Sequence, residues 1–152
     1  MRPEYFRLLG WYLVLAVVIA ACSANGLFGG SSINDLRAVQ DTTWILQSYG
    51  PANALTPALP DSRVTLIFDF DAKSAGGNSG CNHYSASFTI KGDNLSFGDA
   101  VGTLMACYPD EIMEQETMYM NMLGQVESYQ IDENSLVLLT KSGSALHFQA
   151  SK

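Results

Sequence analysis

Positive charge is scarce in this chain. Eight Lys and Arg stand against 15 Asp and Glu, a formal net charge of −7. A surface of that sign repels nucleic acid and anionic lipid headgroups at long range, so neither is expected as a partner. Histidine and cysteine are also sparse, at two and three residues. The C-x-x-C spacing of a close dithiol redox pair is missing. Gly76-Gly77-Asn78-Ser79-Gly80-Cys81 sets a serine among glycines, but it is not G-x-S-x-G and it runs into a strand pattern rather than a helix, which excludes a nucleophile elbow. It also lacks the lysine and the following helix of a phosphate-binding loop. No internal repeat appears, and beyond residue 21 no apolar run approaches the roughly 20 residues needed to span a bilayer.

The one long apolar run is at the start. Arg2 and Arg7 precede Leu8 to Ile19, interrupted only by Gly10, and this is the pattern of an export signal. The run ends in Ile19-Ala20-Ala21-Cys22, which resembles the bacterial lipobox: the cysteine thiol takes a diacylglycerol and the peptide is cut in front of it. The alternative is an ordinary signal peptide with a cysteine just past its cleavage site. On the lipobox reading residues 1–21 are a lipoprotein signal peptide and Cys22 becomes the lipidated first residue. Two or three acyl chains, palmitate among them, then hold the protein stably on the extracytoplasmic side of the cell envelope. Cleavage removes two basic residues and one acidic residue, so the mature chain is one charge more negative.

The mature chain is long enough for one domain and a core. Residues 22–41, rich in small residues at their start, read as a flexible tether, and residues 42–150 as the domain. Pro51, Pro57 and Pro60 argue against regular pairing between the first strand pattern and the next. Val64, Leu66, Phe68 and Phe70 alternate with Thr65, Ile67 and Asp69, as in a strand buried on one side. Tyr84, Ala86, Phe88 and Ile90 share a face, Gly92-Asp93-Asn94 supplies a turn, and Leu95 and Phe97 resume the apolar face, predicting a hairpin. Three further strand patterns near the end form a meander. Helical period occurs once, in PDEIMEQETMYMNMLG. Pro109, Asp110 and Glu111 suit its start, Gly124 its stop, and Ile112, Tyr119 and Leu123 form its apolar stripe. The predicted class is α+β: a small antiparallel, barrel-like sheet of seven or eight strands with one packed helix.

With Cys22 lipidated, Cys81 and Cys107 remain as an even pair in an oxidising compartment, where a disulfide is the default. Closing a loop of that length contributes about 3.5 kcal/mol on the chain-entropy model. Two buried thiols or a redox pair are the alternatives. Cys81, His83 and Cys107 make a poor metal set because no fourth ligand is in view, so no cofactor is expected. His83 reads as lining the loop, and His147 as pointing outward between Leu146 and Phe148. Gly76, Gly77 and Gly80 read as permitting a tight, positive-φ entry into the hairpin. Glu116 falls about 40° from Ile112 on the helical projection, inside the apolar stripe. A carboxylate there needs hydrogen-bond donors. It serves either as a structural acceptor or as a catalytic acid, and no second carboxylate or base is set beside it by spacing.

Trp44-x-Leu46, Ser79-Gly80-Cys81-Asn82-x-Tyr84, Thr103-Leu104-Met105-Ala106-Cys107, Met113-Glu114-Gln115-Glu116 and Leu136-x-Leu138, in that order, resemble the META domain family. HslJ-like heat-inducible envelope proteins and many bacterial lipoproteins belong to it. The resemblance covers about residues 42–149. It implies a compact antiparallel β fold with one helix, a link to envelope or heat stress, and a fold-defining role for Gly80, Asn82 and Tyr84; it carries no catalytic residue, cofactor or substrate. The expected function is that of a lipid-anchored, non-enzymatic envelope protein binding a protein or other envelope component. The alternatives are a hydrolase using Glu116 or His83 near the Gly80-Cys81-Asn82 loop, and a small-ligand carrier using the barrel interior.

Overall fold

The computed structural model describes residues 33–132 and 134–151. The export signal, Cys22 and the first part of the tether lie outside them. The described residues form ten strands and two helices: α1 (Ile33–Ala38), β1 (Trp44–Pro51), β2 (Thr56–Pro57), β3 (Thr65–Asp69), β4 (Ser74–Asn78), β5 (His83–Lys91), β6 (Asn94–Phe97), β7 (Val101–Gly102), α2 (Asp110–Leu123), β8 (Val126–Ile131), β9 (Ser135–Thr140) and β10 (Ser144–Ala150). Strands β1, β3, β4, β5, β6, β8, β9 and β10 run in that order around an antiparallel barrel, which closes where β10 pairs with β1 from Trp44↔Ala150 to Pro51↔Ser144. The two-residue strands are appended, β2 on β1 and β7 on β5.

Alternation builds the wall. Along β3 and β5 the even-numbered residues Leu66, Phe68, Tyr84, Ala86 and Phe88 are buried, while Ile67, Asp69, Ser85 and Ser87 face out. An eight-stranded barrel has an interior just wide enough for side chains. Trp44, Leu66, Phe68, Tyr129, Leu136, Leu138, Leu146 and Phe148 occupy it, each no more than 2 % exposed. The junction with the fewest ladder pairs joins β6 to β8 through Asn94↔Ser128, with the Tyr129 amide 3.4 Å from the Asp93 carbonyl. Local opening begins where backbone bonds are fewest. The Tyr129 amide is therefore expected to exchange with deuterium at least about tenfold faster than amides of β9, and equal protection would show the junction to be as firm as the rest of the wall.

Several details differ from the sequence reading. The end of the predicted tether is helix α1, and Leu36 is fully buried in the core with Val39 packed against it. Arg37 on that helix lies over the Phe70 ring at 4.9 Å. Gly76 and Gly77 are strand residues of β4 rather than loop, and a Cβ at Gly76 would sit 2.4 Å from the Tyr84 carbonyl oxygen. Gly80 alone of the three lies in the turn into β5, at φ +126°. The proline-rich segment does pair: Pro51 ends β1, and Pro57 is in the edge strand β2.

Candidate functional site

Helix α2 crosses the barrel end bounded by the β4–β5 turn and the end of β6. Its buried face is Gln115, Tyr119, Met122 and Leu123. Tyr119 is fully buried and packs edge-on against Tyr84, ring centroids 5.6 Å apart. The two phenols are hydrogen-bonded, and because Tyr84 donates to the Thr65 carbonyl at 3.1 Å, Tyr119 is the donor between them. Burial pushes both phenols above their ordinary range. Gln115 ties the helix to the segment after β2: its Oε1 accepts from the Leu59 amide at 2.7 Å and its Nε2 donates to Ser62 Oγ at 2.6 Å.

The next residue, Glu116, reaches the β4–β5 turn. Its Oε2 accepts from the amides of Cys81 (3.1 Å) and Asn82 (2.8 Å) and lies 2.6 Å from Ser79 Oγ; its Oε1 accepts from Asn82 Nδ2 at 2.7 Å. Desolvation raises the carboxyl pKa, but the bonds from Ser79, Asn82 and Cys81 outweigh it and hold the group below the usual carboxylate range. Glu116 is therefore ionised at neutral pH and fully occupied as an acceptor.

Asn82 is the hub of the cluster. It is 4 % exposed and uses all the capacity of its amide. Nδ2 donates to Glu116 and to the Met105 carbonyl (3.1 Å), while Oδ1 accepts from Thr103 Oγ1 and from the Met105 amide, both at 2.7 Å. The disulfide Cys81–Cys107, with Cα atoms 5.8 Å apart, anchors the other end of the same loop. The Cys107 amide also donates to Met113 Sδ at 3.4 Å. Residues 103–107 are thus fastened at both ends to the β4–β5 turn and to α2.

That fastened loop holds apolar side chains in water. Leu104 is 100 % exposed, Tyr108 90 % and Met105 51 %. His83 does not join Glu116: alternation along β5 turns it outward while Asn82 and Tyr84 are buried, and its backbone amide donates to Thr103 Oγ1 at 3.2 Å. His147 is half-buried on β10. Among the described residues no group of three or more His, Cys, Asp and Glu is arranged to hold a metal ion, and no helix is long and apolar enough to cross a membrane. The sequence reading placed Gln115, Ser79 and Thr103 in the family motifs but gave them no bonding role. Gln115 had a signal, since it sits three residues after Ile112 and four before Tyr119, within the core-facing stripe.

A closed antiparallel barrel with a helix across one end, disulfide-tied through its β4–β5 turn, defines the class. The META domain family matches residues 37–152, and the chain belongs to that family. Solved structures share the fold. A protein from Burkholderia xenovorans, determined by NMR, is 24 % identical with a TM-score of 0.68, covering 100 % of this chain and 98 % of its own. A second NMR structure is 18 % identical, TM-score 0.56, covering 74 % and 92 %. A crystal structure of a DUF4847 family protein from Bacteroides vulgatus is 16 % identical, TM-score 0.54, covering 76 % and 96 %. No curated protein matches the chain.

Proposed function

We propose that the chain is a lipid-anchored, non-enzymatic protein of the bacterial cell envelope whose META barrel presents a binding surface to another envelope component, with a role under envelope stress. The observation that carries the binding role is the 103–108 loop. A disulfide and three of the four hydrogen bonds of the Asn82 amide hold it, yet Leu104 and Tyr108 stand in solvent, where they add nothing to the core. Pre-fixing apolar side chains in water lowers the ordering cost of a later association. The polar cluster beneath the loop supports a structural role, because Glu116 and Asn82 bond within the protein and His83 faces away. The hydrolase alternative needs those groups free and together. The carrier alternative needs space inside a barrel that large side chains occupy. The anchor rests on Ile19-Ala20-Ala21-Cys22 after the apolar run.

Two measurements test this reading. Expressed in a bacterial host, the protein is expected to partition into detergent and incorporate labelled fatty acid, and Cys22→Ala to lose both; equal labelling of the variant removes the anchor from the proposal. Photo-crosslinkers placed at Leu104 and Tyr108 are expected to capture a discrete envelope component that one at the exposed Glu127 on β8 does not. Identical capture from all three positions would discard the loop as the binding surface.

A further inference from the structure

At the end of the barrel away from α2 the wall has a notch. Consecutive turns of an antiparallel meander lie at opposite ends, so the β3–β4 turn is at the far end from the β4–β5 turn that Glu116 holds. Strand β5 outruns its neighbour there. Strand β4 begins at Ser74, opposite Ser87, and the bond nearest that end runs from the Phe88 amide to the Lys73 carbonyl at 3.2 Å. The Gly98 amide donates to the Ser87 carbonyl, so odd-numbered residues late in β5 bond toward β6 and even-numbered ones toward β4. The Ile90 amide and carbonyl therefore point past the start of β4, where no strand among the described residues lies opposite.

A cleft of about 220 Å³ occupies the notch, lined by Arg37, Phe70, Lys73, Phe88, Thr89 and Ile90. Its floor is aromatic: Phe70 and Phe88 are buried and meet edge to face, ring centroids 5.2 Å apart. Its sides carry positive charge. Arg37 comes from α1, which Leu36 fastens to the core, and its guanidinium lies over the Phe70 ring. A guanidinium stacked in this way keeps the N–H edge of its fork free for a bidentate acceptor. Lys73 comes from the β3–β4 turn.

Two of the five described Lys and Arg of an acidic chain thus meet at one cleft. Among the described residues neither has a carboxylate partner. Of the acids on that turn, Asp69 accepts from the amides of Asp71 and Ala72, and Asp71 is exposed. Two cations lining one cleft repel each other, and both gain when an anion sits between them.

We propose that this cleft binds a small organic carboxylate with a compact apolar body, of the aromatic-acid or short-chain-acid class. The carboxylate takes the Arg37 fork, the Lys73 ammonium and the Ile90 amide, and the apolar body lies on Phe70 and Phe88. The cleft is smaller than the roughly 300 Å³ at which drug-sized pockets begin, which sets the scale of the ligand. It lies at the barrel mouth, outside the side chains that fill the interior, and it is independent of the 103–108 loop.

The test uses the full chain, isotope-labelled and solubilised in a nonionic detergent, with benzoate as the probe and amide shifts read by NMR. Benzoate is expected to shift the Lys73, Phe88 and Ile90 amides saturably with a Kd of about 1–10 mM, the affinity open to a ligand of that size. Benzamide has the shape without the charge, and acetate the charge without the ring; each is expected to bind at least about fivefold more weakly. The double variant R37Q/K73M is expected to weaken benzoate at least about tenfold and leave benzamide unchanged. Lys73→Met alone, which keeps Arg37 on Phe70, is expected to weaken it at least about threefold. Arg63→Gln removes a cation at the opposite end, next to the Ser62 that Gln115 of α2 holds, and is expected to leave the benzoate shifts as they are. Arg37 and Lys73 are exposed, so an unchanged melting temperature is the control for folding. No saturable shift at these amides, equal binding of benzoate and benzamide, full binding by R37Q/K73M, or an equal loss in Arg63→Gln each overturns the proposal. Glycerol phosphate shifting the same amides at lower concentration than benzoate would give the cleft to a phosphate headgroup and overturn the carboxylate assignment too.

Discussion

Replacing Cys81 and Cys107 together by alanine is expected to lower folding stability by about 3.5 kcal/mol, a fall in melting temperature of about 10–20 °C. The two cysteines are 26 residues apart. Their bond removes from the unfolded chain the freedom of a segment that includes β5, β6 and β7, and the loss in the variant follows from restoring it. Wild type treated with a thiol reductant is expected to reproduce the variant's curve, because both lack the same constraint. Alkylation of envelope-derived protein under denaturing, non-reducing conditions supplies the complementary check, and two modified thiols there would show that the bond is not formed. A loss below about 1 kcal/mol would mean that the unfolded chain is already restricted over this segment without the bond.

Glu116→Ala is the second large effect. It strands the Cys81 and Asn82 amides and one Asn82 Nδ2 hydrogen, and donors left without an acceptor in a partly buried site cost about 1–3 kcal/mol, more where the lost acceptor was charged. Glu116→Gln keeps the shape and one acceptor oxygen and is expected to cost less. The pH dependence has a definite sign. The folded carboxyl titrates below its unfolded range, so its stabilisation is present above the ordinary glutamate pKa of about 4.3 and is lost as pH falls through the folded value. The stability gap between wild type and Glu116→Gln is therefore widest near neutrality and closes on acidification. In the C81A/C107A background the Glu116→Ala loss is expected to be non-additive, because both changes release the same turn. An Ala variant as stable as wild type but unable to capture its partner would make Glu116 a functional group instead of a structural one.

Periodicity revealed the strands in which one face is buried and the other is wet. Val64 to Phe70 and Tyr84 to Phe97 carry that alternation in their side chains. Strand β4 does not, because SAGGN has almost no side chains to alternate; Gly76 makes room for the Tyr84 carbonyl and Gly77 for the Thr65 carbonyl, constraints set by neighbours. Helix α1 was hidden for a different reason. Its six residues are too few to show a helical period, and an isolated helix of that length is unstable without the packing that Leu36 supplies. The disulfide was legible from cysteine parity together with the expectation of export. The role of Asn82 was not, because its partners at Thr103, Met105 and Glu116 lie 21 to 34 positions away and meet it only when the barrel closes.

Barrel closure also decides how this molecule avoids sticking to itself. An open sheet ends in a row of unpaired amides and carbonyls that invites a foreign strand, the usual start of fibrillar association. Here the first and last barrel strands pair with each other, leaving no long rim to extend. The two strands outside the ring are poor templates: β2 contains Pro57, which has no amide hydrogen to donate, and β7 is two residues long. A neighbouring chain therefore gains little by adding a strand.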